Sequence, residues 1–340
     1  MTSTIRVRLG AVLAVVAVVA ASAVATAGSA FADHDRHDGD GHAHATYAVG
    51  SRSVVFVDTT RPTPANGTYA GAPSRTLPTL ILYPARGDGS GSIVPGATPA
   101  RTEHGFPLVV FSHGFTANGP AYAPLVALFV QAGYVVALPT FPLSNGAAPG
   151  GPTIVDYVNQ PGDVSFVITQ MLRLDRTKSD PLRHVIDDDE IGVAGHSLGA
   201  ITTLGVAANT CCQDRRIDAA VSFSGIELFP NGKWFAQPTP PLLLVHGNAD
   251  GTVPYGASVS IYGQAPPPKA FLTLVGAPHT PFRAPWLDPT VKTVVDFLDG
   301  YLKHDGGALR RLARDGSNPG VTTLQQDLCL RSWGRCRDAA

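Results

Sequence analysis

Apolar positions along the chain cluster into short runs that alternate with longer segments of mixed character. Eight runs have the length of buried strands, at residues 54–57, 77–83, 108–112, 135–138, 191–194, 219–223, 241–245 and 271–275. Five segments of helical length lie between or after them, at residues 122–132, 162–174, 198–208, 254–262 and 289–303. This alternation predicts an α/β fold with a mostly parallel, eight-stranded sheet and helices on both faces. The first two runs have no helix between them, so we expect an antiparallel pair at one edge.

A G-x-S-x-G motif joins the fifth predicted strand to the third predicted helix. It reads Gly195-His196-Ser197-Leu198-Gly199. Between a strand and a helix, the two glycines permit a cramped turn that lifts the serine Oγ out of the backbone at a helix N-terminus. The alternative is a glycine-rich turn with an incidental serine, and the flanking strand and helix patterns weigh against it. Ser197 is therefore the candidate nucleophile.

Two later strands lead to the other groups that an activated serine needs. The seventh predicted strand is followed by Asp250 and the eighth by His279. A serine hydroxyl needs a base within hydrogen-bond reach, and that base needs an acid that fixes its tautomer. Because the chain order Ser–Asp–His is that of α/β-hydrolases, we expect His279 to be the general base and acid and Asp250 the orienting acid. Glu227, after the sixth strand, is the alternative acid.

The motif and the order of the three groups resemble the α/β-hydrolase superfamily over residues 54–302. The nearest resemblance is to bacterial secreted esterases similar to platelet-activating-factor acetylhydrolases, chlorophyllases and dienelactone hydrolases. The polyester hydrolase and cutinase group looks like a close cousin. The stretch RTLPTLILYPA at residues 75–85 is similar to the second-strand signature of the first group. The resemblance implies the α/β-hydrolase fold and hydrolysis of carboxylic esters through a serine acyl-enzyme.

The third predicted strand ends in His113-Gly114-Phe115, ahead of the serine. A tetrahedral intermediate needs two donors for its oxyanion. The backbone N–H of Leu198, at a helix N-terminus, is one candidate, and that of Phe115 is the other. The resembling polyester hydrolases read Pro-Gly-aromatic where this chain reads His-Gly-Phe, which places the chain nearer the acetylhydrolase group.

Several residues compete for further roles around the site. Three other histidines compete with His279 for the role of the base. His113 and His246 fit loop geometry better than base catalysis, and His196, next to Ser197, is better explained as a packing or hydrogen-bonding residue. We also expect the substrate to contact His113 and Gly114, in the loop after the third predicted strand, and His196, in the G-x-S-x-G motif. Aromatic candidates for the substrate rim are Phe115, Phe229, Trp234, Phe282 and Trp286. Core packing explains each aromatic residue singly just as well.

The connection at residues 225–240 is short, so we expect no large lid domain and an open cleft. An open cleft buries little of a long acyl chain, which predicts a preference for short to medium acyl esters and slow attack on polyesters.

Composition narrows the class of protein. Hydrophobic residues make up 44% and charged residues 15% of the chain, and the net charge is −1. Such a chain can form a sizeable core, and it gives no reason to expect a nucleic-acid partner. We expect a monomer that binds a small or polymeric ester. No metal-ligand spacing is present near the predicted site, so we expect neither a metal nor another cofactor.

The N-terminal residues are typical of export. Arg6 and Arg8 precede an apolar stretch at residues 9–27 and an A-x-A site at 30–32, which predicts a cleaved signal peptide at 1–32 and a secreted protein. An uncleaved membrane anchor is the alternative. The His- and Asp-rich segment 33–48 is predicted to be a disordered leader, with a metal-binding tract as the alternative.

The catalytic domain is predicted at residues 49–304, with a C-terminal extension at 305–340. Four cysteines in an exported chain suggest disulfides, and three connectivities are possible. Cys211 and Cys212 are adjacent and could pair with each other or with the two C-terminal cysteines. Local pairing of Cys329 with Cys336 is favoured, which would place a disulfide in the extension.

Three other functions remain open from the sequence. An acyltransferase and a serine peptidase would use the same triad, and no residue pattern separates them from an esterase. A non-catalytic binding protein on a hydrolase scaffold is a further alternative. The intact Ser–Asp–His set weighs against that last alternative.

Overall fold

The computed structural model describes residues 46–89 and 91–328. Within them, the strands are β1 (Ala48–Asp58), β2 (Arg75–Ala85), β3 (Ile93–Pro95), β4 (Phe106–Ser112), β5 (Val135–Pro139), β6 (Ile186–His196), β7 (Ala219–Phe223), β8 (Leu242–Gly247), β9 (Lys269–Leu274) and β10 (Thr322–Asp327). The α-helices are α1 (Ala123–Gln131), α2 (Gln160–Arg176), α3 (Leu198–Ala208), α4 (Tyr255–Gln264), α5 (Leu287–Leu302) and α6 (Gly306–Asp315). Two 3₁₀ turns, Gly119–Tyr122 and Val155–Asn159, precede α1 and α2.

These strands form one sheet in the order β10-β9-β8-β7-β6-β4-β5-β2-β1-β3. The strands from β4 to β9 pair in parallel. β2 is antiparallel to both β1 and β5, as expected for the first predicted pair. Because parallel strands end at the same edge of a sheet, the residues that follow β4, β6, β8 and β9 come together there.

The sheet separates two hydrophobic cores. Successive strand residues point to opposite faces, so Leu242 and Leu244 enter one core and Leu243 and Val245 enter the other. The first core is covered by α2, α3 and α4, and the second by α1, α5 and α6. β4 and β8 are buried along their whole length. A parallel strand covered on both faces reads as a continuous apolar run, which is why both were visible in the sequence.

The sheet has two more strands than the eight that were predicted. β3 is only three residues long and pairs with β1. β10 lies inside the segment that was expected to be a C-terminal extension, and it pairs antiparallel with β9. The sequence of β10, TTLQQD, is polar and mostly exposed, so it lacks the apolar run of a buried strand.

One disulfide joins Cys211 to Cys212, directly after α3. It rules out the alternative in which each of these cysteines pairs with a C-terminal one. The favoured Cys329–Cys336 pair, the predicted signal peptide and all but the last residues of the predicted leader lie outside the described residues. Across 46–89 and 91–328, no helix combines the length and apolarity needed to cross a bilayer.

Candidate active site

Ser197 occupies the sharp turn between β6 and α3. Its backbone has φ 57° and ψ −118°, a conformation that non-glycine residues rarely adopt. The flanking glycines are needed because the turn is so close to other backbone. A Cβ on Gly195 would lie 2.3 Å from the carbonyl oxygen of Gly199, and a Cβ on Gly199 would lie 2.0 Å from that of Ser112. The G-x-S-x-G motif therefore lets α3 begin directly against the end of β4.

Three side chains from separate loops meet at this turn. Nε2 of His279, which follows β9, lies 2.8 Å from Oγ of Ser197. Nδ1 of the same ring lies 2.7 Å from Oδ2 of Asp250, which follows β8. Since an ionised carboxylate only accepts, Nδ1 carries the proton and Nε2 is free to accept from the serine hydroxyl. The structure thus brings together the three residues that the sequence predicted as a triad.

Asp250 is held as a carboxylate by four donors. Its Oδ1 accepts from the backbone N–H groups of Thr252 and Val253, at 2.7 and 2.9 Å. Its Oδ2 accepts from His279 and also from Nε2 of His246, at 3.1 Å. Burial alone would raise the pKa of Asp250, but the hydrogen bonds from the two histidines outweigh it and hold that pKa well below its usual range. The carboxylate therefore stays charged beside His279.

Glu227, the alternative acid, takes no part in this arrangement. Its nearest hydrogen-bond partner is Nε2 of Gln264, 3.4 Å from Oε2, and its Oε1 is buried without a partner. Burial raises the pKa of Glu227 above the ordinary range for a glutamate. The acid that bonds His279 is Asp250.

Hydrogen bonds fix the loop after β4 on both sides of Phe115. The Gly114 carbonyl accepts from Nδ1 of His113 at 2.8 Å, and the Thr116 N–H donates to the Ser144 carbonyl at 2.8 Å. Gly114 N–H donates to the hydroxyl of Tyr122, 3.2 Å away. Within the described residues, the Phe115 N–H donates to no protein group. This leaves it available as a donor to an oxyanion.

The second predicted donor is the N–H of Leu198, the first residue of α3. It too donates to no protein group in the described part of the chain, as expected for the first turn of a helix. The partial positive charge of the helix N-terminus adds to the field at this point. Close packing of Gly199 against Ser112 brings this helix end beside the loop that carries Phe115.

The competing histidines are buried and engaged in fixed hydrogen bonds. Nε2 of His113 accepts from the N–H of Phe141 at 3.0 Å, so its Nδ1 is the donor to Gly114. Burial lowers the pKa of His113 to about 4 and that of His196 to about 3. His246 bonds Asp250 and lies 2.7 Å from Oγ of Ser258. None of the three hydrogen-bonds to Ser197.

The aromatic candidates for the rim divide into two groups. The Phe282 ring lies 5.1 Å from the ring of His196, which in turn lies 4.8 Å from the ring of His279, so Phe282 packs beside the neighbour of the triad histidine. Trp286 is half-buried at the start of α5, where its Nε1 donates to the carbonyl of Val275. Phe115 is half-buried within its loop.

Trp234 and Phe229, in contrast, are not brought to the triad. Trp234 pairs with Asn209, just beyond the last residue of α3. Asn209 lies twelve positions beyond Ser197 along α3, a distance of about 18 Å at a rise of 1.5 Å per residue. Phe229 packs against Gly205, also on the far half of α3. The structure therefore does not bring Trp234 to the serine, because the part of the β7–β8 connection that carries it lies beside the end of α3.

For two residues, Tyr122 and His246, the sequence did not predict the contacts that they make at the site. The hydroxyl of Tyr122 contacts His196 and Gly114, but Tyr122 belongs to no sequence motif that could have identified it. The sequence assigned His246 only to loop geometry, whereas its spacing of four from Asp250 could have indicated contact across the turn. In residues 46–89 and 91–328, no cluster of three or more His, Cys, Asp or Glu side chains could hold a metal ion.

Neither a family model nor a curated protein matches the chain by sequence. Solved structures do match it. A ferulic acid esterase from Streptomyces cinnamoneus has a TM-score of 0.53 and 22% sequence identity, over 76% of this chain and 91% of that one. This likeness confirms the predicted α/β-hydrolase fold. Within residues 46–89 and 91–328, the connection between β7 and β8 contains no helix, which agrees with the expected lack of a large lid domain.

Proposed function

We propose that the protein is a secreted serine hydrolase that cleaves carboxylic esters through an acyl-enzyme on Ser197. The observation that carries the proposal is the continuous chain of hydrogen bonds from Ser197 through His279 to Asp250, at 2.8 and 2.7 Å. The similar fold of a ferulic acid esterase supports the same class of reaction. The resemblance to platelet-activating-factor acetylhydrolases and to polyester hydrolases supports it from the sequence.

In the first half of the reaction, Oγ of Ser197 attacks the ester carbonyl while Nε2 of His279 takes the hydroxyl proton. The imidazolium that forms is stabilised by the carboxylate of Asp250, which is already charged and fully buried. The carbonyl oxygen becomes an oxyanion, and the N–H groups of Phe115 and Leu198 donate to it. Collapse of the intermediate breaks the C–O bond, and His279 returns the proton to the leaving alcohol.

In the second half, water takes the place of the alcohol. His279 removes a proton from the water, which attacks the acyl carbon of the Ser197 ester through a second tetrahedral intermediate. Expulsion of Ser197 releases the carboxylic acid and restores the starting hydrogen bonds. Each half needs only groups of this chain, so we propose that no metal or cofactor takes part.

The substrate class follows from the surroundings of the triad. The connection from β7 to β8 does not cover the serine, so a long acyl chain would remain partly in water. Each buried methylene contributes about 0.8 kcal/mol only when it leaves water. We therefore expect short to medium acyl esters to be preferred, with Phe282 and Phe115 as aromatic walls of the cleft, and slow attack on polyesters.

We further propose that the protein acts outside the cell as a monomer, with a small or polymeric ester as its partner and with no affinity for nucleic acid. Export rests on the signal sequence at residues 1–32, and the net charge of −1 supports the lack of a nucleic-acid partner. An acyltransferase or a peptidase with the same triad, and a non-catalytic binding protein, are the alternative functions.

The experiment that tests the proposal uses purified protein with p-nitrophenyl esters of two to sixteen carbons, an alcohol acceptor and a peptide p-nitroanilide. We expect hydrolysis of the short to medium esters, and none by the Ser197→Ala variant. Dominant transfer to the alcohol would favour the acyltransferase, and dominant amide cleavage the peptidase. Lack of turnover with every substrate would favour the binding protein.

A further inference from the structure

Tyr122 connects two loops of the candidate active site that come from distant parts of the chain. It is the last residue of the 3₁₀ turn before α1, and its hydroxyl lies 3.2 Å from the N of Gly114 and 2.8 Å from Nδ1 of His196. The other ring nitrogen of His196, Nε2, lies 2.7 Å from the carbonyl oxygen of His279. A single chain of hydrogen bonds therefore runs from the loop that carries Phe115 to the loop that carries His279.

The direction of every bond in this chain is fixed. A carbonyl oxygen can only accept, so Nε2 of His196 must donate to His279. Burial lowers the pKa of His196 to about 3, so the ring is neutral and its Nδ1 is an acceptor. Tyr122 must then donate its hydroxyl proton to Nδ1. The tyrosine oxygen is left to accept, and the N–H of Gly114 is the donor that reaches it.

The geometry around Gly114 makes this contact specific. A Cβ at position 114 would lie 3.0 Å from the Tyr122 hydroxyl and 3.4 Å from Nδ1 of His196. Glycine therefore allows the loop to approach both side chains. Because the N–H of Gly114 donates to this hydroxyl, it is not available to the substrate. The N–H of Phe115 is then the donor that the loop offers to the oxyanion.

We propose that Tyr122 is a positioning residue of the active site, and that its hydroxyl, acting through His196, holds the oxyanion loop and the base loop at a fixed separation. The inference rests on the proposed function, because it assigns Phe115 to the oxyanion and His279 to proton transfer. Oxyanion stabilisation acts mainly in the transition state, so this role predicts an effect on kcat with little effect on KM.

The test compares Tyr122→Phe with the wild type and with Tyr83→Phe. The first change removes one oxygen and keeps the ring that packs against Phe111 and Phe282. Tyr83 is a matched control, because its hydroxyl donates to the carbonyl of Ala97 at 2.8 Å, near the opposite edge of the parallel strands. Three quantities are measured for each protein: kcat and KM for p-nitrophenyl butyrate, and the Ki of butylboronic acid, whose tetrahedral adduct with a serine resembles the intermediate.

For Tyr122→Phe we expect kcat to fall on the order of 10-fold, KM to stay within about twofold, and the Ki of the boronic acid to rise by the same factor as kcat falls. Tyr83→Phe should leave all three values unchanged. Unchanged kcat and Ki in Tyr122→Phe, or equal effects in the two variants, would overturn the proposal. A wild type that hydrolyses no ester would overturn the proposed function instead.

A second measurement needs neither activity nor a variant. The ¹⁵N chemical shifts of the His196 ring in the wild-type protein distinguish the two neutral tautomers from the charged form. We expect the Nε2–H tautomer across the neutral pH range. Observation of the Nδ1–H tautomer, or of a charged ring, would break the chain of bonds at Tyr122 and overturn the inference even if the kinetic effect were found.

Discussion

His246 donates through Nε2 to the carboxylate of Asp250 across 3.1 Å, and both side chains are fully buried. The same nitrogen lies 3.1 Å from the Val253 carbonyl, which can only accept, so the proton is on Nε2. The other ring nitrogen, Nδ1, lies 2.7 Å from Oγ of Ser258. The acid of the candidate triad is therefore shared between two imidazoles, one facing the serine and one facing the core.

We predict that His246→Leu lowers both stability and turnover, because it removes a donor from a buried carboxylate. Loss of a hydrogen bond to a charged group costs about 1.5–3 kcal/mol, and urea unfolding at neutral pH measures it. Ser258→Ala is the milder companion, since it leaves the Nε2 donor in place. Equal stability of His246→Leu and the wild type would contradict the role assigned to this bond.

The same change has a predicted dependence on pH. The folded-state pKa of Asp250 is held low, so its stabilising contribution is present above the ordinary carboxyl pKa and is lost as pH falls through the folded value. The stability difference between wild type and His246→Leu should therefore be largest near neutral pH and shrink below about pH 4. Unfolding curves recorded across this range give the comparison directly.

Ser197→Ala and His279→Ala should each reduce ester turnover by several orders of magnitude, and the double variant should be no worse than the single ones. The reason is that both residues act in the same proton transfer, across the 2.8 Å contact. Circular dichroism controls for folding. Stoichiometric labelling of a residue other than Ser197 by a fluorophosphonate would remove the basis for this assignment.

Asp250→Asn is expected to lower kcat by about 10⁴-fold, because an amide no longer stabilises the imidazolium of His279 and can reverse its tautomer. Glu227→Gln is the matched control, since it also neutralises a partly buried acid. The Glu227 side chain contacts Gln264 instead of His279. We expect less than about a twofold change there. The two variants are compared by kcat at saturating ester, and an effect of Glu227→Gln as large as that of Asp250→Asn would show that the acid was misassigned.

Gly199→Ala should destabilise the fold by about 1–3 kcal/mol or more, because its Cβ would lie 2.0 Å from the carbonyl oxygen of Ser112 and neither backbone can retreat. Gly256→Ala provides the contrast. It lies in α4, and a Cβ there meets no atom within 4 Å. The higher helix propensity of alanine should therefore raise the free energy of unfolding by as much as about 1 kcal/mol. Thermal unfolding of the two variants should therefore shift in opposite directions.

Chelation should leave the esterase activity unchanged, since every proposed step uses groups of the chain itself. Dialysis against EDTA, followed by the ester assay, measures this. Loss of activity that a divalent ion restores would contradict the prediction. It would also favour metal binding by the His- and Asp-rich segment at residues 33–48.

The sequence predicted the parts of the fold and site that depend on local patterns. Ser197, Asp250 and His279 were found because each follows a buried strand, and parallel strands bring such positions to one edge. β10 was missed because an edge strand with one exposed face needs no apolar run. Tyr122 was missed for another reason: its contact with His196 joins residues 74 positions apart, and no spacing records it. Trp234 lies away from Ser197 because the path of the connection at residues 225–240 depends on tertiary packing, which no local pattern records.

β10 also covers an edge of the sheet at which another strand could pair. It occupies the outer edge of β9, a strand of sequence KAFLTL whose last five residues are buried. An uncovered edge of this kind offers a row of main-chain donors and acceptors to any neighbouring strand, and proteins protect such edges against aggregation. The outermost strand here is short, polar and largely exposed. A chain cut before residue 322 would keep Ser197, His279 and Asp250 but leave the edge of β9 open to strands of other molecules. We therefore expect β10 to protect the sheet against intermolecular growth and to take no part in catalysis.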